Sequence, residues 1–105
     1  MPHRHVFDED LELGEPAWLS EIDDACLHNT LLETLVARRM AIKEGALDHP
    51  RALKIWLAGS KTLEQIKYGR YSGPIACTKA ADALRKFQQA IDYFYPVTLL
   101  RRRDV

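Results

Sequence analysis

The chain lacks any long apolar run. Its hydrophobic stretches are short pieces of the "LL", "IA" and "LAG" kind, far below the ~18 residues that a membrane-spanning helix needs. Behind the charges of "MPHRHVFDED" there is no apolar stretch, so no secretory leader is expected either. Cysteine is scarce: Cys26 and Cys77 fall in what read as two different helices. Without a secretion signal they read as two reduced, half-buried thiols of a cytoplasmic protein, with a bridge as the alternative. The five glycines are scattered, so no glycine-rich phosphate loop exists. No segment alternates with period two for long enough to make a sheet, and the expected class is all-α.

Residues for catalysis or metal binding are equally sparse. His3 and His5 stand near the start, where Pro2 removes a backbone nitrogen that an N-terminal copper site would use. His28 and His49 sit at expected helix boundaries. Neither cysteine has a histidine or second cysteine at zinc spacing. Asp23 and Asp24 are adjacent, so they point to different sides of a helix and do not make an acid–base pair. The expectation is a protein that is not an enzyme and carries no cofactor or metal.

Charge is plentiful but unevenly placed. The 15 basic and 15 acidic residues cancel over the whole chain. Through Glu33, however, nine acids face Arg4 alone, a net of −8. From Thr34 onward fourteen bases outnumber six acids, a net of +8. Such asymmetry points to an anionic partner for the basic part, against the plainer reading that the two parts neutralise each other in the fold.

The chain at 105 residues suits one core. Residues 1–15 read as an acidic mobile arm, 16–96 as a single helical domain and 97–105 as a basic tail. Pro16 suits a first helical turn, and Trp18, Leu19, Ile22, Ala25 and Cys26 recur at helical spacing over 16–28. "TLLE" pairs Thr30 with Glu33 as a capping box, opening a second helix that carries Leu31, Leu32, Leu35, Val36, Met40 and Ile42 to Gly45. One continuous helix is the alternative. Asp48 or His49 caps a third helix begun by Pro50 and ended by Gly59, with Leu53, Trp56 and Leu57 inward. Thr62 with Gln65 opens a fourth, with Leu63 and Ile66 inward and Gly69 closing it. The last helix has the strongest period, Cys77, Ala80, Ala81, Leu84, Phe87, Ile91 and Phe94, and stops at Pro96. The result is a small bundle of four to five helices.

The third and fourth helices have the spacing of a helix-turn-helix at 50–69. Counted from His49, the fourth, eighth, tenth, fifteenth and eighteenth places of that motif are usually buried, and here they are Ala52, Trp56, Ala58, Leu63 and Ile66. The fifth place holds Leu53 where a small residue is usual, and the ninth holds Leu57 where glycine is usual. A leucine in a left-handed turn costs about 1 kcal/mol or more. After these helices come Gly69-Arg70, Pro74, Lys79-Ala80 and Leu84 to Phe87. Over residues 50–88 this pattern resembles the phage-repressor-like DNA-binding domains, where a recognition helix ends in a Gly-Arg turn and a proline loop leads into a further helix.

The resemblance implies a small DNA-binding transcriptional regulator whose second motif helix, about 62–69, enters the major groove. Lys61, Thr62, Glu64, Gln65, Lys67 and Tyr68 would share the face opposite Leu63 and Ile66. Gln65 suits adenine edges, and Lys61 and Lys67 suit guanine or phosphate. Arg70, Tyr71 and Ser72 would contact the DNA backbone, with Arg51 adding charge at the start of the motif. A homodimer is expected, because symmetry doubles the few contacts that so small a module makes. Tyr93, Phe94 and Tyr95 exceed one inward stripe and suit a second copy or the closing of the core. The alternative is a non-catalytic helical inhibitor or adaptor that binds a protein through its acidic N-terminal region.

Overall fold

A computed structural model describes residues 16–95, so the acidic arm at 1–15, the tail at 97–105 and its "RRR" lie outside the described residues. Those described form three α-helices and no strand: α1 (Ala25–Glu44), α2 (Pro50–Lys67) and α3 (Gly73–Asp92). The all-α class therefore holds, while the count of four to five helices does not. Short 3-10 turns at Ala17–Glu21 and Ala46–Asp48 precede α1 and α2.

The first correction concerns where α1 begins. Pro16 opens only a single turn, and the chain then runs extended through Ile22 to Asp24. Asp24 is the cap: its Oδ1 accepts from the Leu27 N–H at 3.0 Å. The expected break at Asn29 and Thr30 is absent. Thr30 turns its hydroxyl inward along the helix and donates to the Cys26 carbonyl at 2.9 Å, so it caps nothing. Beyond it the buried residues Leu31, Leu35, Arg38 and Ala41 continue at helical spacing. Gly45 ends α1 at φ 106°, in the left-handed conformation where a side chain would be strained.

The second correction removes the turn at Gly59. His49 caps α2, its Nδ1 accepting from the Ala52 N–H at 3.2 Å, and Pro50 follows as expected. The helix then passes through Gly59 and Thr62 without interruption to Lys67. Thr62 does not cap either; its hydroxyl donates to the Ala58 carbonyl at 3.3 Å. Gly59 instead faces the core. A Cβ at this position would lie 3.0 Å from Phe87 Cζ and 3.3 Å from Lys86 Cβ. A glycine inside a helix costs about 1 kcal/mol relative to alanine, which the close seating of Phe87 offsets. The two helices expected at 50–69 are thus one, and the turn that a helix-turn-helix needs between them is not formed.

Of the expected turn "RYSGP", residues 70–72 form the connection, and Gly73 and Pro74 already begin α3. Gly69 at φ 77° lets the Arg70 N–H reach the Gln65 carbonyl at 2.9 Å, which closes the end of α2. Helix α3 then runs between the other two and makes most of their contacts. Its direction matches α1: Cys26 lies beside Cys77, and Thr34 beside Ala80. It opposes α2: Gly59 and Trp56 meet Phe87, while His49 meets Tyr93 and Phe94. The α3 residues at the centre are Ala76, Ala80, Ala83, Phe87 and Ala90. The expected stripe of Cys77, Ala81, Leu84 and Ile91 is only half-buried, because alanines allow both neighbours to approach more closely than leucines would.

The core is drawn from all three helices and the preceding turn, with Leu19, Leu31, Trp56 and Phe87 fully enclosed. Trp56 joins α2 to α1. Its Nε1–H donates to the Arg38 carbonyl at 3.2 Å, and the Arg38 guanidinium carbon stands 4.9 Å from the ring centroid. Arg38 itself is buried, so the aromatic face helps offset the loss of water around its charge. Among the aromatics near the chain's end, Phe94 packs on Gly45 and on the edge of His49, which closes that end of the core.

Candidate nucleic-acid interface

One continuous α2 changes which of its polar residues face the same way. Alanine, tryptophan, glycine, leucine and isoleucine at 52, 56, 59, 63 and 66 define the buried side. The opposite side carries Arg51, Lys54, Ala58, Lys61, Gln65 and Tyr68, one stripe at steps of three and four. Arg51, Lys54 and Lys61 are all exposed, and Arg51 and Lys61 lie ~15 Å apart along the axis. Tyr68 is 77% exposed.

At the C-terminal end of this stripe the turn adds further groups. Lys61, Glu64, Gln65, Tyr68 and Arg70 line one concavity of about 430 Å³. The Tyr71 hydroxyl donates to Gln65 Oε1 at 3.1 Å, fixing that amide against the turn. Lys79, from the second turn of α3, holds its Nζ 5.2 Å from the centre of the Tyr71 ring. Three cations from three segments, Lys61, Arg70 and Lys79, therefore surround a patch built on Gln65, Tyr68 and Tyr71. Glu64 is the single carboxylate among the residues named here.

Two expected members do not join this face. Thr62 is half-buried with its hydroxyl turned to the helix backbone, so it presents no donor outward. Lys67 is on the flank about 120° round the helix from Lys61, by the 100° turn per residue, with its Nζ 5.7 Å from the Tyr68 ring centroid. In a helix barely two turns long the six polar residues between Lys61 and Tyr68 would share one face, whereas the continuous helix parts them. Lys54 is exposed and Lys79 half-exposed, and the continuous helix and the α2–α3 turn place both beside this face.

A second surface escaped the sequence. Leu32, Val36, Met40, Leu84, Gln88 and Ile91 border a groove of about 410 Å³ between α1 and α3. Val36 and Met40 are 46% and 49% exposed, which is high for large apolar side chains side by side. The signal was present: these residues belong to the apolar positions of two helices, too many for one inward stripe each.

Among the described residues no group of three or more His, Cys, Asp or Glu converges as a metal site would, and no helix is long and apolar enough to cross a membrane. His49 is occupied as a cap and as a packing surface for Tyr93 and Phe94. Comparison with protein-family models, curated proteins and solved structures finds no match to this chain.

Proposed function

We propose that the chain binds double-stranded DNA through the outward face of α2 and the α2–α3 turn, as a homodimer joined along the α1–α3 groove. The observation that carries this reading is the row of exposed cations Arg51, Lys54 and Lys61 along α2, leading to the Gln65–Tyr68–Tyr71 patch that Lys61, Arg70 and Lys79 flank. Such a face grips phosphate first, with charge on a rigid helix and amide and phenol groups beside it. Without a helix-turn-helix the Gln65 amide is held by Tyr71, so binding is led by the backbone of the duplex rather than by base edges.

The shape of the other surface supports the dimer. α1 and α3 run side by side with an uncovered apolar strip, which makes two of the four helices of a bundle. A two-fold axis supplies the other two from an identical surface. It leaves both α2 faces outward.

Binding to a mixed-sequence duplex across a salt series tests the reading. Affinity should fall steeply with salt, and Lys61→Ala should lower the slope of log affinity against log salt by about 1. Lys67→Ala, off the face, should change the slope less. Absence of binding at low salt overturns the proposal. A second reading, a helical adaptor that binds another protein, is favoured by the same α1–α3 groove; in it Met40→Glu rather than Lys61→Ala abolishes the interaction.

A further inference from the structure

The two cysteines of the chain meet. Cys26, the second residue of α1, and Cys77, in the second turn of α3, are 51 positions apart in sequence, yet their Sγ atoms lie 3.4 Å apart in a thiol–thiol hydrogen bond. Both are free thiols, Cys26 exposed and Cys77 partly so. A disulfide requires about 2.05 Å, a further approach of roughly 1.3 Å.

We propose that Cys26 and Cys77 form a redox-convertible pair, oxidised by a small-molecule disulfide of the glutathione class to an intramolecular bridge between α1 and α3. The exposed Cys26, as thiolate, attacks one sulfur of the reagent; a mixed disulfide forms and one reagent thiolate leaves. Cys77, as thiolate, then attacks the Cys26 sulfur of the mixed disulfide. The protein disulfide forms, and the second reagent thiolate leaves. The two cysteines lose two protons and two electrons, and the reagent disulfide gains them as two thiols. The Cys26 thiol is held above its ordinary pKa, chiefly by its hydrogen bond to Cys77 and then by the charge of the Cys77 sulfur, so the first step accelerates as pH rises.

The bridge would close a loop containing all of α2. It removes much of the freedom of the unfolded chain, and the thermal midpoint of the oxidised form should rise by roughly 10 °C or more over the reduced form. It also fastens the N-terminal ends of α1 and α3, close to the turn at Ser72 and Gly73. That places a redox-dependent tie in the second turn of α3.

The experiment equilibrates the full chain with oxidised glutathione, then counts thiols and weighs the intact protein by mass spectrometry. The expected product has no free thiol, no glutathione adduct and the mass of one chain less two hydrogens. Cys77→Ser should trap a single glutathione on Cys26, because the resolving sulfur is gone. Circular dichroism of both single serine variants confirms that each retains its helix. Two glutathione adducts on the wild-type chain, or bridges between chains in place of the internal one, would overturn the proposal. So would an unchanged thermal midpoint after the internal bridge has formed.

Discussion

The two seams against α3 are built differently, although they share one helix. Toward α2 the seam is close-packed at its centre: Gly59 admits the Phe87 ring, Trp56 lies edge-on to it with centroids 6.1 Å apart, and Ala83 and Ala90 leave no bulk between the backbones, while a concavity of about 320 Å³ opens at its far end, beside Ile55, Gln89, Asp92 and Tyr93. Toward α1 it is closed only on the inner side, where Thr34 donates to Thr30 and approaches the Ala80 carbonyl. On the outer side Val36 and Met40 are exposed beside the half-buried Leu32, Leu84 and Ile91, with Glu33 on the rim. A close-packed seam fixes a fold, whereas an open apolar one has spare capacity for a partner. The difference teaches where stability and where association reside in this molecule.

The largest effect should come from filling the closed seam. Gly59→Val places branched carbon where a single Cβ already meets Phe87 at 3.0 Å, so a loss of about 3 kcal/mol is expected in denaturant unfolding. Phe87→Leu alone should also destabilise. Combined with Gly59→Val it should recover part of that loss, since the shorter side chain vacates the contact. Additive losses would mean that Gly59 is needed for some other reason than Phe87.

Trp56→Phe comes next. It retains most of the buried ring but deletes the indole N–H that donates to the Arg38 carbonyl and the larger face beneath the Arg38 guanidinium. A loss of about 1–2 kcal/mol is expected. A change near zero would show that α1 and α2 are joined through α3 alone.

How much of this could be read from residues differs between the two seams. The all-helical class, Pro50 at a helix start, the end of α1 at Gly45 and the turn at 69–73 follow from local chemistry that no distant residue overrides. The break expected at Gly59 failed because glycine has two uses. A free chain reads it as a helix stop, but next to a phenyl ring it is the residue that fits. Thr30 and Thr62 failed for a related reason: a threonine hydroxyl caps a helix or bonds the carbonyl four residues back, and only the flanking burial decides. Arg38 was legible and overlooked, since it follows Leu31 and Leu35 on the same stripe. The candidate interface was half legible: Lys61, Gln65, Tyr68, Arg70 and Arg51 lie on the expected side, while Lys67 and Thr62 do not, because the helix is longer than the local pattern suggests. The Cys26–Cys77 contact depends on which helices are neighbours, which no local pattern encodes.

On the open seam the stability effects shrink while association becomes the readout. Met40→Ala should cost at most about 1 kcal/mol, well below the 2–5 typical of a fully buried methionine, because half of the side chain already meets water. Met40→Glu should leave the helix content intact and shift sedimentation from dimer to monomer. Unchanged sedimentation would separate the groove from any role in self-association and leave the basic face of α2 to act as a monomer.

The smallest expected effect probes the N-terminal end of the α1–α3 seam by pH. Cys26 has its pKa raised above the ordinary thiol value of 9.0, first by the hydrogen bond to Cys77, then by the charge of that sulfur, with burial and Asp24 adding to it. A raised pKa in the fold means that the folded chain holds the proton more tightly than the unfolded chain. The associated stability is complete below pH 9 and is lost as pH rises through the folded value. Under reducing conditions the thermal midpoint of the wild type should therefore fall relative to Cys77→Ala as pH climbs from about 8 to about 10. The variant lacks the principal cause of the shift, so its curve serves as the reference. Parallel curves would mean that the thiols titrate independently, which would separate the α1–α3 contact at Cys26 from any exchange of a proton between the two sulfurs.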